Sequence, residues 1–261
     1  MNNFDFMEDL NDKFLLRVMT YNIHGCVGAD RAVNPDKIAT IIADLDVDIV
    51  ALQEVEIGHP AREYRNQAQM IAAVLDVEYI YFPVEQDGLR RFGLAVLSRC
   101  PIVGFDQIRL PNVYPLLNPR RRGALRATLE TPAGPICLIN THLSLFRLER
   151  RLQLTALMTG VDVTAVPANE PLVFCGDLNS GPSSETYKQV SRLLTDVQTA
   201  SHSGPVEATF HAKSPFFRID HIFISSHFTP LKTEVRKTAD TATASDHLPL
   251  VVDLALKKSN N

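Results

Sequence analysis

The sequence lacks tryptophan, a Cys-x-x-Cys pair and any apolar run near the roughly 20 residues that a membrane-spanning helix needs. Its four cysteines, Cys26, Cys100, Cys137 and Cys175, are widely spaced, which argues against a zinc site and favours free thiols over a disulfide framework. The acidic start has no charged region followed by an apolar region, as a secretory signal would. We therefore expect a cytoplasmic protein with no stable membrane insertion.

The sequence also lacks an excess of positive charge, because it has 26 Lys and Arg residues and 30 Asp and Glu residues, for a net charge of −4. A net-acidic chain argues against the broad basic surface with which proteins bind duplex DNA. With 7% aromatic residues and no tryptophan, base stacking is weakly supported. An anionic substrate must then be bound by local groups of basic residues.

The 261 residues are 45% hydrophobic, enough for one large α/β domain with a substantial core. We predict that this single domain covers residues 14–257. A loosely ordered N-terminal segment, 1–13, precedes it, and a short tail, 258–261, follows it.

Apolar runs of strand length alternate with segments of helical spacing. The predicted strands are 15–22, 48–53, 78–82, 92–98, 124–130, 136–141, 172–175, 219–225 and 250–254. One helix is predicted to begin at Asn34-Pro35, where asparagine is an N-cap and proline suits the first turn. Three further helices are predicted over 62–75, 148–159 and 184–194. This pattern predicts an α/β fold with two mainly antiparallel or mixed sheets packed face to face and helices outside.

Polar residues that can bind metals or transfer protons occur where apolar strands end. They lie in six segments: Asn22 with His24, Gln53-Glu54, Asn140-Thr141-His142, Gly176-Asp177-Leu178-Asn179, Arg218-Ile219-Asp220-His221 and Ser245-Asp246-His247. Carboxylate and amide oxygens suit Mg²⁺ or Mn²⁺. Phosphoester hydrolysis also needs a base for water and positive charge for the phosphoryl oxygens, and histidine can provide both.

In this order, the segments resemble the endonuclease/exonuclease/phosphatase superfamily, which includes deoxyribonuclease I, neutral sphingomyelinases and inositol-polyphosphate 5-phosphatases. The resemblance extends from Tyr21 to Leu254. It implies a four-layer sandwich with a metal site at its edge. It also implies hydrolysis of a phosphoester by an activated water, with Mg²⁺ or Mn²⁺ as cofactor.

The resemblance also implies roles for the matching residues. Asn22 and Glu54 would hold the metal, with Asp246 as a further ligand. Asp177 would orient the attacking water, and Asn179 would support that carboxylate and the phosphoryl oxygens.

The implied roles of the imidazoles are different. His247 would contact the phosphate while Asp220 holds its ring, and His142 would act near the leaving oxygen. His24 stands where apurinic endonucleases tend to have an acidic residue, and Thr141-His142-Leu143 differs from their tyrosine-led segment, so abasic-site repair is disfavoured. Each residue also has a structural alternative, such as an Asx turn at Asp177.

Five basic residues are candidates for contact with the substrate: His24, Arg121, Arg122, Arg126 and Arg218. The planar fork of the arginines matches the oxygens of a phosphate. Arg147, Arg150 and Arg151 follow His142 on a predicted helix, where a solvated face is the simpler interpretation for at least part of the group.

The sequence therefore predicts a metal-dependent phosphoester hydrolase, a phosphodiesterase or phosphatase, acting on a small or lipid-linked phosphoester. Apolar residues in predicted loops beside the motifs, Leu145, Phe146, Phe216 and Phe217, are compatible with a lipid headgroup or with the core. An endo- or exonuclease acting on DNA or RNA is the first alternative. A catalytically silent binding module is the second, and no protein partner is evident.

Overall fold

The computed structural model describes residues 13–58, 65–113, 115–116, 120–160, 170–201 and 204–257. The predicted loose segment, apart from Lys13, and the predicted tail lie outside these residues. The first strand already begins at Lys13, one residue before the predicted start of the domain.

Strands and helices alternate along most of the described chain. The strands are β1 (Lys13–Asn22), β2 (Ile49–Ile57), β3 (Glu78–Asp87), β4 (Arg90–Ser98), β5 (Ile102–Arg109), β6 (Gly123–Thr131), β7 (Gly134–His142), β8 (Leu172–Asp177), β9 (Thr195–Asp196), β10 (Asp220–Ile224), β11 (Phe228–Val235) and β12 (Leu250–Lys257). The helices are α1 (Pro35–Asp44), α2 (Gln67–Leu75), α3 (Arg147–Gly160), α4 (Glu185–Ser191), α5 (Val197–Ala200) and α6 (Thr241–Ala244), with a 3₁₀ turn at His24–Cys26.

The strands form two six-stranded sheets, in the orders β11-β12-β1-β2-β4-β3 and β5-β6-β7-β8-β10-β9. Each sheet contains one parallel pair, β1 with β2 and β7 with β8, among antiparallel neighbours. The predicted pair of mixed sheets is confirmed.

Alternation along the strands places apolar side chains on both faces of each sheet. Val18 and Val96 of the first sheet pack with Leu138 and Val173 of the second in one central core. The outer face of the first sheet packs against residues of α1 and α2, and the outer face of the second against residues of α3 and α4. These contacts give four layers, as the resemblance implied.

Three observed strands, β5, β9 and β11, were not predicted, and all three lie at sheet edges. Their side chains are partly exposed, so their sequences carry little of the apolar alternation from which strands are predicted. The predicted helix 62–75 is observed as α2, with Asn66 as its N-cap, whereas residues 62–64 lie outside the described part. None of the described helices is both long and apolar enough to cross a membrane.

Candidate active site

Strand pairing brings three of the predicted site residues into one row of the second sheet. His142 at the end of β7 pairs with Asp177 at the end of β8, and Asp177 pairs with Asp220 at the start of β10. In the first sheet, Asn22 pairs with Gln53, directly before Glu54. The ends of the two sheets therefore form a single rim.

The glycine before Asp177 is required by the close approach of β7 and β8. Gly176 has a φ of +134°, and a Cβ atom there would lie 1.9 Å from the carbonyl oxygen of Thr141. Because no side chain fits, glycine allows Asp177 to lie beside His142.

Glu54 lies in a bulge of β2, where the pairing with β4 shifts between Leu52 and Val55. Its φ is +58°, a left-handed conformation that is unfavourable for glutamate and typical of functional sites. Its Oε1 lies 3.4 Å from Asn22 Nδ2 and 4.0 Å from His142 Nδ1. The bulge thus directs a carboxylate into the rim without a short ion pair among the described residues.

Asn22 links the two sheets at this rim. Its Nδ2 donates to Asp177 Oδ2 at 3.0 Å, and its Oδ1 accepts from the backbone N–H of His24 at 3.1 Å. Ser245 Oγ donates to the Asn22 carbonyl, which brings Asp246 to the same side, 3.7 Å from His24 Nδ1.

His247 and Asp220 form a buried ion pair. Nδ1 of His247 lies 2.8 Å from Asp220 Oδ2, which also accepts from Thr209 Oγ1 at 2.5 Å. Burial lowers the pKa of His247, but the carboxylates of Asp220, Asp177 and Asp246 outweigh it and raise the pKa to about 10. His247 is therefore a cation at neutral pH.

Asp177 is fully enclosed and its acidity is weakened. Burial, followed by the negative charge of Asp220, raises its pKa from 3.8 to about 7, against the stabilising effects of His247, the Asn179 N–H and Asn22. The Asn179 backbone N–H donates to Asp177 Oδ1 at 2.8 Å. This carboxylate is a stronger base than a solvent-exposed aspartate.

His142 is neutral and has a defined tautomer. Burial, then the charge of Arg122, hold its pKa well below the ordinary value. Arg122 Nη1 lies 3.1 Å from Nδ1, and because a guanidinium only donates, Nδ1 accepts. The proton is then on Nε2, 3.3 Å from Asp177 Oδ2, whereas the nearby Asn179 Nδ2 donates to the Leu143 carbonyl at 3.0 Å.

The charges at the rim fit a divalent cation. Four carboxylates, Glu54, Asp177, Asp220 and Asp246, lie around two buried cationic side chains, Arg122 and His247, with Arg121 exposed at the edge. Among the described residues, the buried cations therefore balance two of the four negative charges, and Asp220 Oδ1 is buried without a hydrogen-bond partner.

Two positions could hold that cation. Asp177, Asp220 and His247 place ligand atoms within 4.8 Å of one another. A proton on His247 already neutralises part of this group, because the ring is held by Asp220. Among the described residues Glu54 has no comparable partner, so the charge balance favours the Glu54 side, where Asn22 and Asp246 offer further oxygens.

The substrate-binding candidates separate in the structure. Arg122 is 7% exposed and contacts His142, and Arg121 is exposed beside it, in a pocket shared with Glu54. His24 contacts Asp246. These three lie at the rim.

Arg126 and Arg218, the other two substrate-binding candidates, contact residues outside the rim. Arg126 points to Cys137 Sγ at 3.4 Å and to Asp106. Arg218 is buried against Asp196, with its guanidinium over the Tyr187 ring. Both arginines are engaged with these neighbours instead of the rim.

Two polar residues of the sequence motifs were not assigned a role but position the rim. Gln53 Nε2 lies 2.7 Å from Asn140 Oδ1, and Asn140 Nδ2 donates across the sandwich to the carbonyls of Leu52 and Ala95 at 2.9 Å. Gln53 and Asn140 occur in apolar strands, and a buried amide must find hydrogen-bond partners. Their positions in the sequence were therefore the signal that could have indicated this role.

The packing of Phe210 against His247 was also missed. Their ring centroids are 4.8 Å apart, and Phe210 forms an isolated bridge with His247. Phe210 lies far from His247 in the sequence and in no predicted strand, so no local pattern indicated the contact.

Two mixed sheets with acidic and imidazole side chains gathered at one rim define a deoxyribonuclease I-like α/β sandwich of the phosphoester hydrolase class. The model of the Endonuclease/Exonuclease/phosphatase family matches residues 19–247. The chain belongs to this family.

Similar proteins cover nearly the whole chain. The uncharacterized protein YbhP of Escherichia coli (strain K12) is 26% identical over 265 residues, which cover 96% of this chain and 100% of YbhP. An endonuclease/exonuclease/phosphatase from Beutenbergia cavernae has a TM-score of 0.76 at 26% identity, covering 93% of this chain and 72% of its own. The mannosyl-6-phosphatase Bt3783 of Bacteroides thetaiotaomicron has a TM-score of 0.74 at 20% identity, covering 92% and 99%.

Proposed function

We propose that the protein is a divalent-metal-dependent phosphoester hydrolase that uses Mg²⁺ or Mn²⁺ and acts on a small or lipid-linked phosphoester. The observation that carries the proposal is the convergence of Asp177, His142 and His247 beside Glu54, a carboxylate held in a strained bulge without a short ion pair to any described residue. Family membership supports the same reaction class.

The ion would be held by Glu54 and Asn22, with Asp246 as a further ligand, and would supply Lewis acidity to the phosphoryl group and the attacking water. Asp177 orients that water and accepts its proton, a role supported by its fixed position between Asn22 and Asn179. Asn179 fixes this carboxylate through its backbone N–H.

The two histidines stabilise charge on the phosphoryl group. We assign His247, held as a cation by Asp220, to the negative charge on the phosphoryl oxygens. We assign His142, with its proton on Nε2, to a hydrogen bond with the leaving oxygen. Arg122 fixes the His142 tautomer and adds positive charge to the same site.

The choice of substrate rests on the charge and the surface beside the rim. The net charge of −4 argues against a broad basic surface for a duplex. Leu145 is 71% exposed and Phe216 81% exposed, each in a loop that follows or precedes motif residues, which favours a substrate with an apolar part. The mannosyl-6-phosphatase among the similar structures supports a small phosphorylated molecule.

The proposal is tested with purified protein and a panel of phospholipids, inositol phosphates, sugar phosphates, small phosphodiesters, plasmid DNA and RNA, in Mg²⁺ or Mn²⁺. We expect turnover of a small or lipid-linked ester, abolished by chelation. Preferential cleavage of plasmid DNA or RNA would support the nuclease alternative. No turnover on any substrate would support the silent binding module.

Variants test the assigned residues. Asp177→Asn and His247→Ala should each lower turnover of a chromogenic phosphodiester by at least about 100-fold while the circular dichroism spectrum is retained. Asp106→Asn, an exposed carboxylate on β5, is the matched control and should keep its activity. Near-normal turnover in Asp177→Asn would contradict the mechanism.

A further inference from the structure

A second cleft, of about 560 Å³, lies beside the proposed active site but includes none of its residues. It is lined by Arg147, Leu148, Arg150, Arg151, Ser183, Ser184, Glu185 and Thr186, from the start of α3 and the segment that leads into α4. Its volume is within the range of small-ligand pockets, roughly 300–1,000 Å³. We call it the arginine cleft.

The arginine cleft is positively charged. Arg147 and Arg151 are exposed, and Arg150 lies between them. Among the described lining residues the single acidic one, Glu185, lies 3.3 Å from Arg192, which is outside the lining. Three arginines therefore face the cleft, and its one carboxylate already has a cation.

Arg150 is the residue that marks the cleft as a binding site. It is only 9% exposed, and its Nη1 donates to the carbonyls of Ser144 at 2.8 Å and Leu145 at 3.0 Å. Its Nε is buried with no hydrogen-bond partner. Among the described residues no carboxylate forms an ion pair with it.

A buried guanidinium without a counter-ion is unfavourable, because its charge is removed from water and one N–H remains unsatisfied. An anion in the cleft would supply the missing counter-charge. A phosphate or another dianion suits this position, because the planar fork of arginine matches its oxygens.

The arginine cleft adjoins the rim on the side of His142 and Asn179. The two carbonyls that hold Arg150 belong to residues two and three positions after His142. Ser183 is four residues after Asn179, so their Cα atoms are at most about 14 Å apart. Burial lowers the pKa of Arg150, and the charge of Asp177 acts against this lowering. One small molecule can thus reach both places.

We propose that the arginine cleft binds a second anionic group of the substrate, a phosphate or equivalent dianion, so that the preferred substrate is a phosphoester carrying two anionic groups. This inference rests on the proposed function. It changes the interpretation of Arg150 from part of a solvated helix face to a specificity-determining residue.

The kinetic test compares two chromogenic esters that differ only in a second phosphate: thymidine 5′-(p-nitrophenyl phosphate), with and without a 3′-phosphate. We expect the KM of the bisphosphate to be at least about 10-fold lower. Arg147→Gln and Arg151→Gln, at exposed positions, should each reduce that preference severalfold with little change in kcat. Arg99→Gln, an exposed arginine paired with Asp46 far from the cleft, is the matched control.

A second comparison, with phospholipids, shows whether the substrate that carries the second anionic group is a lipid or a soluble molecule. Phosphatidylglycerol phosphate and phosphatidylglycerol are compared in phosphatidylcholine vesicles. Preference for the bisphosphate in vesicles alone would support the proposal with a lipid substrate, and preference in the soluble pair alone would support it with a soluble one. Equal KM values within both pairs, or equal effects of the variants on both members, would overturn it.

A binding measurement keeps the inference separate from the proposed function. Titration calorimetry with tripolyphosphate on the metal-free protein should show binding that Arg150→Gln and Arg151→Gln each weaken at least about 10-fold. Unchanged binding in both variants would overturn the arginine cleft as an anion site. If no ester is hydrolysed, the proposed function fails, and this measurement still decides whether the cleft binds anions.

Discussion

Asp177 is the carboxylate whose ionisation depends most on its surroundings in this site. It is enclosed by Asn22, Asn179 and His142, and it shares its row with Asp220. Because burial and Asp220 both disfavour its charge, a bound cation would restore its acidity.

This has a measurable consequence in the metal-free protein. The pKa of Asp177 is about 7 when folded and 3.8 as the unperturbed value, so the folded state binds the proton more tightly. The contribution of Asp177 to stability is thus present below pH 4 and lost as the pH rises towards 7. Relative to the wild type, Asp177→Asn should gain on the order of a few kcal/mol across this window, since one pKa unit corresponds to about 1.4 kcal/mol.

The measurement is urea unfolding of both proteins in chelator between pH 4.5 and 7. Asp106→Asn, which removes an exposed carboxylate on β5, is the matched control. A constant difference between the wild type and Asp177→Asn would show that Asp177 does not titrate in this range.

Arg122 and Arg121 are neighbours in sequence but differ in what they contact. Arg122 is buried and donates to His142, whereas Arg121 is exposed at the edge of the same pocket. We expect Arg122→Gln to lower kcat by about 10- to 100-fold, because the His142 tautomer loses its fixed partner. Arg121→Gln should mainly raise KM. Steady-state kinetics on a small phosphodiester separate the two, and the reverse pattern would contradict this assignment.

At the scale of the elements, the candidate site lies at the ends of the strands, and a buried ion pair away from that site connects strands with a helix. Arg218 precedes β10 and was a substrate-binding candidate, yet it forms a buried ion pair with Asp196. Asp196 in turn caps α5 by accepting from the N–H groups of Gln198 and Thr199. The pair therefore connects β9, α5 and the start of β10.

We predict that Arg218→Met lowers the free energy of unfolding by about 3–5 kcal/mol, because the Asp196 carboxylate would remain buried without its cation. The remaining folded protein should keep its KM. Arg236→Met, at a partly exposed pair with Glu234, is the matched control and should change stability by less than about 1 kcal/mol. Chemical denaturation measures both, and a raised KM without loss of stability would return Arg218 to the substrate site.

At the scale of the whole molecule, the two sheets are held together at the rim by polar contacts as well as by the core. Asn140 and Gln53 bond across the sandwich, and Asn22 reaches from the first sheet to Asp177 of the second. A cation bound on the Glu54 side would add a further link between the sheets.

Metal binding should therefore stabilise the whole fold. At Mg²⁺ or Mn²⁺ concentrations about 100 times the dissociation constant, the gain is about 2.7 kcal/mol, or a rise in Tm of about 5–10 °C for a domain of this size. Glu54→Gln should lose most of this rise, and Glu130→Gln, an exposed glutamate on β6, should retain it. A rise that is equal in Glu54→Gln would place the ion elsewhere, and a response to Zn²⁺ alone would contradict the hard-cation assignment.

The sequence by itself determined the class of fold and most of the rim. Strand alternation and helical spacing are local properties, so the buried strands and the long helices are visible in them, and the polar residues that end those strands meet because sheets align strand ends. The edge strands β5, β9 and β11 carry too little apolar pattern to be found this way.

Only the tertiary structure decided which arginine lies where. Arg122 reaches His142, Arg218 reaches Asp196, Arg126 reaches Cys137, and Arg150 is buried without an anion, although all four are alike in the sequence. The physical reason is that the charge and burial around a side chain come from residues distant in sequence, whereas periodicity reports only its neighbours.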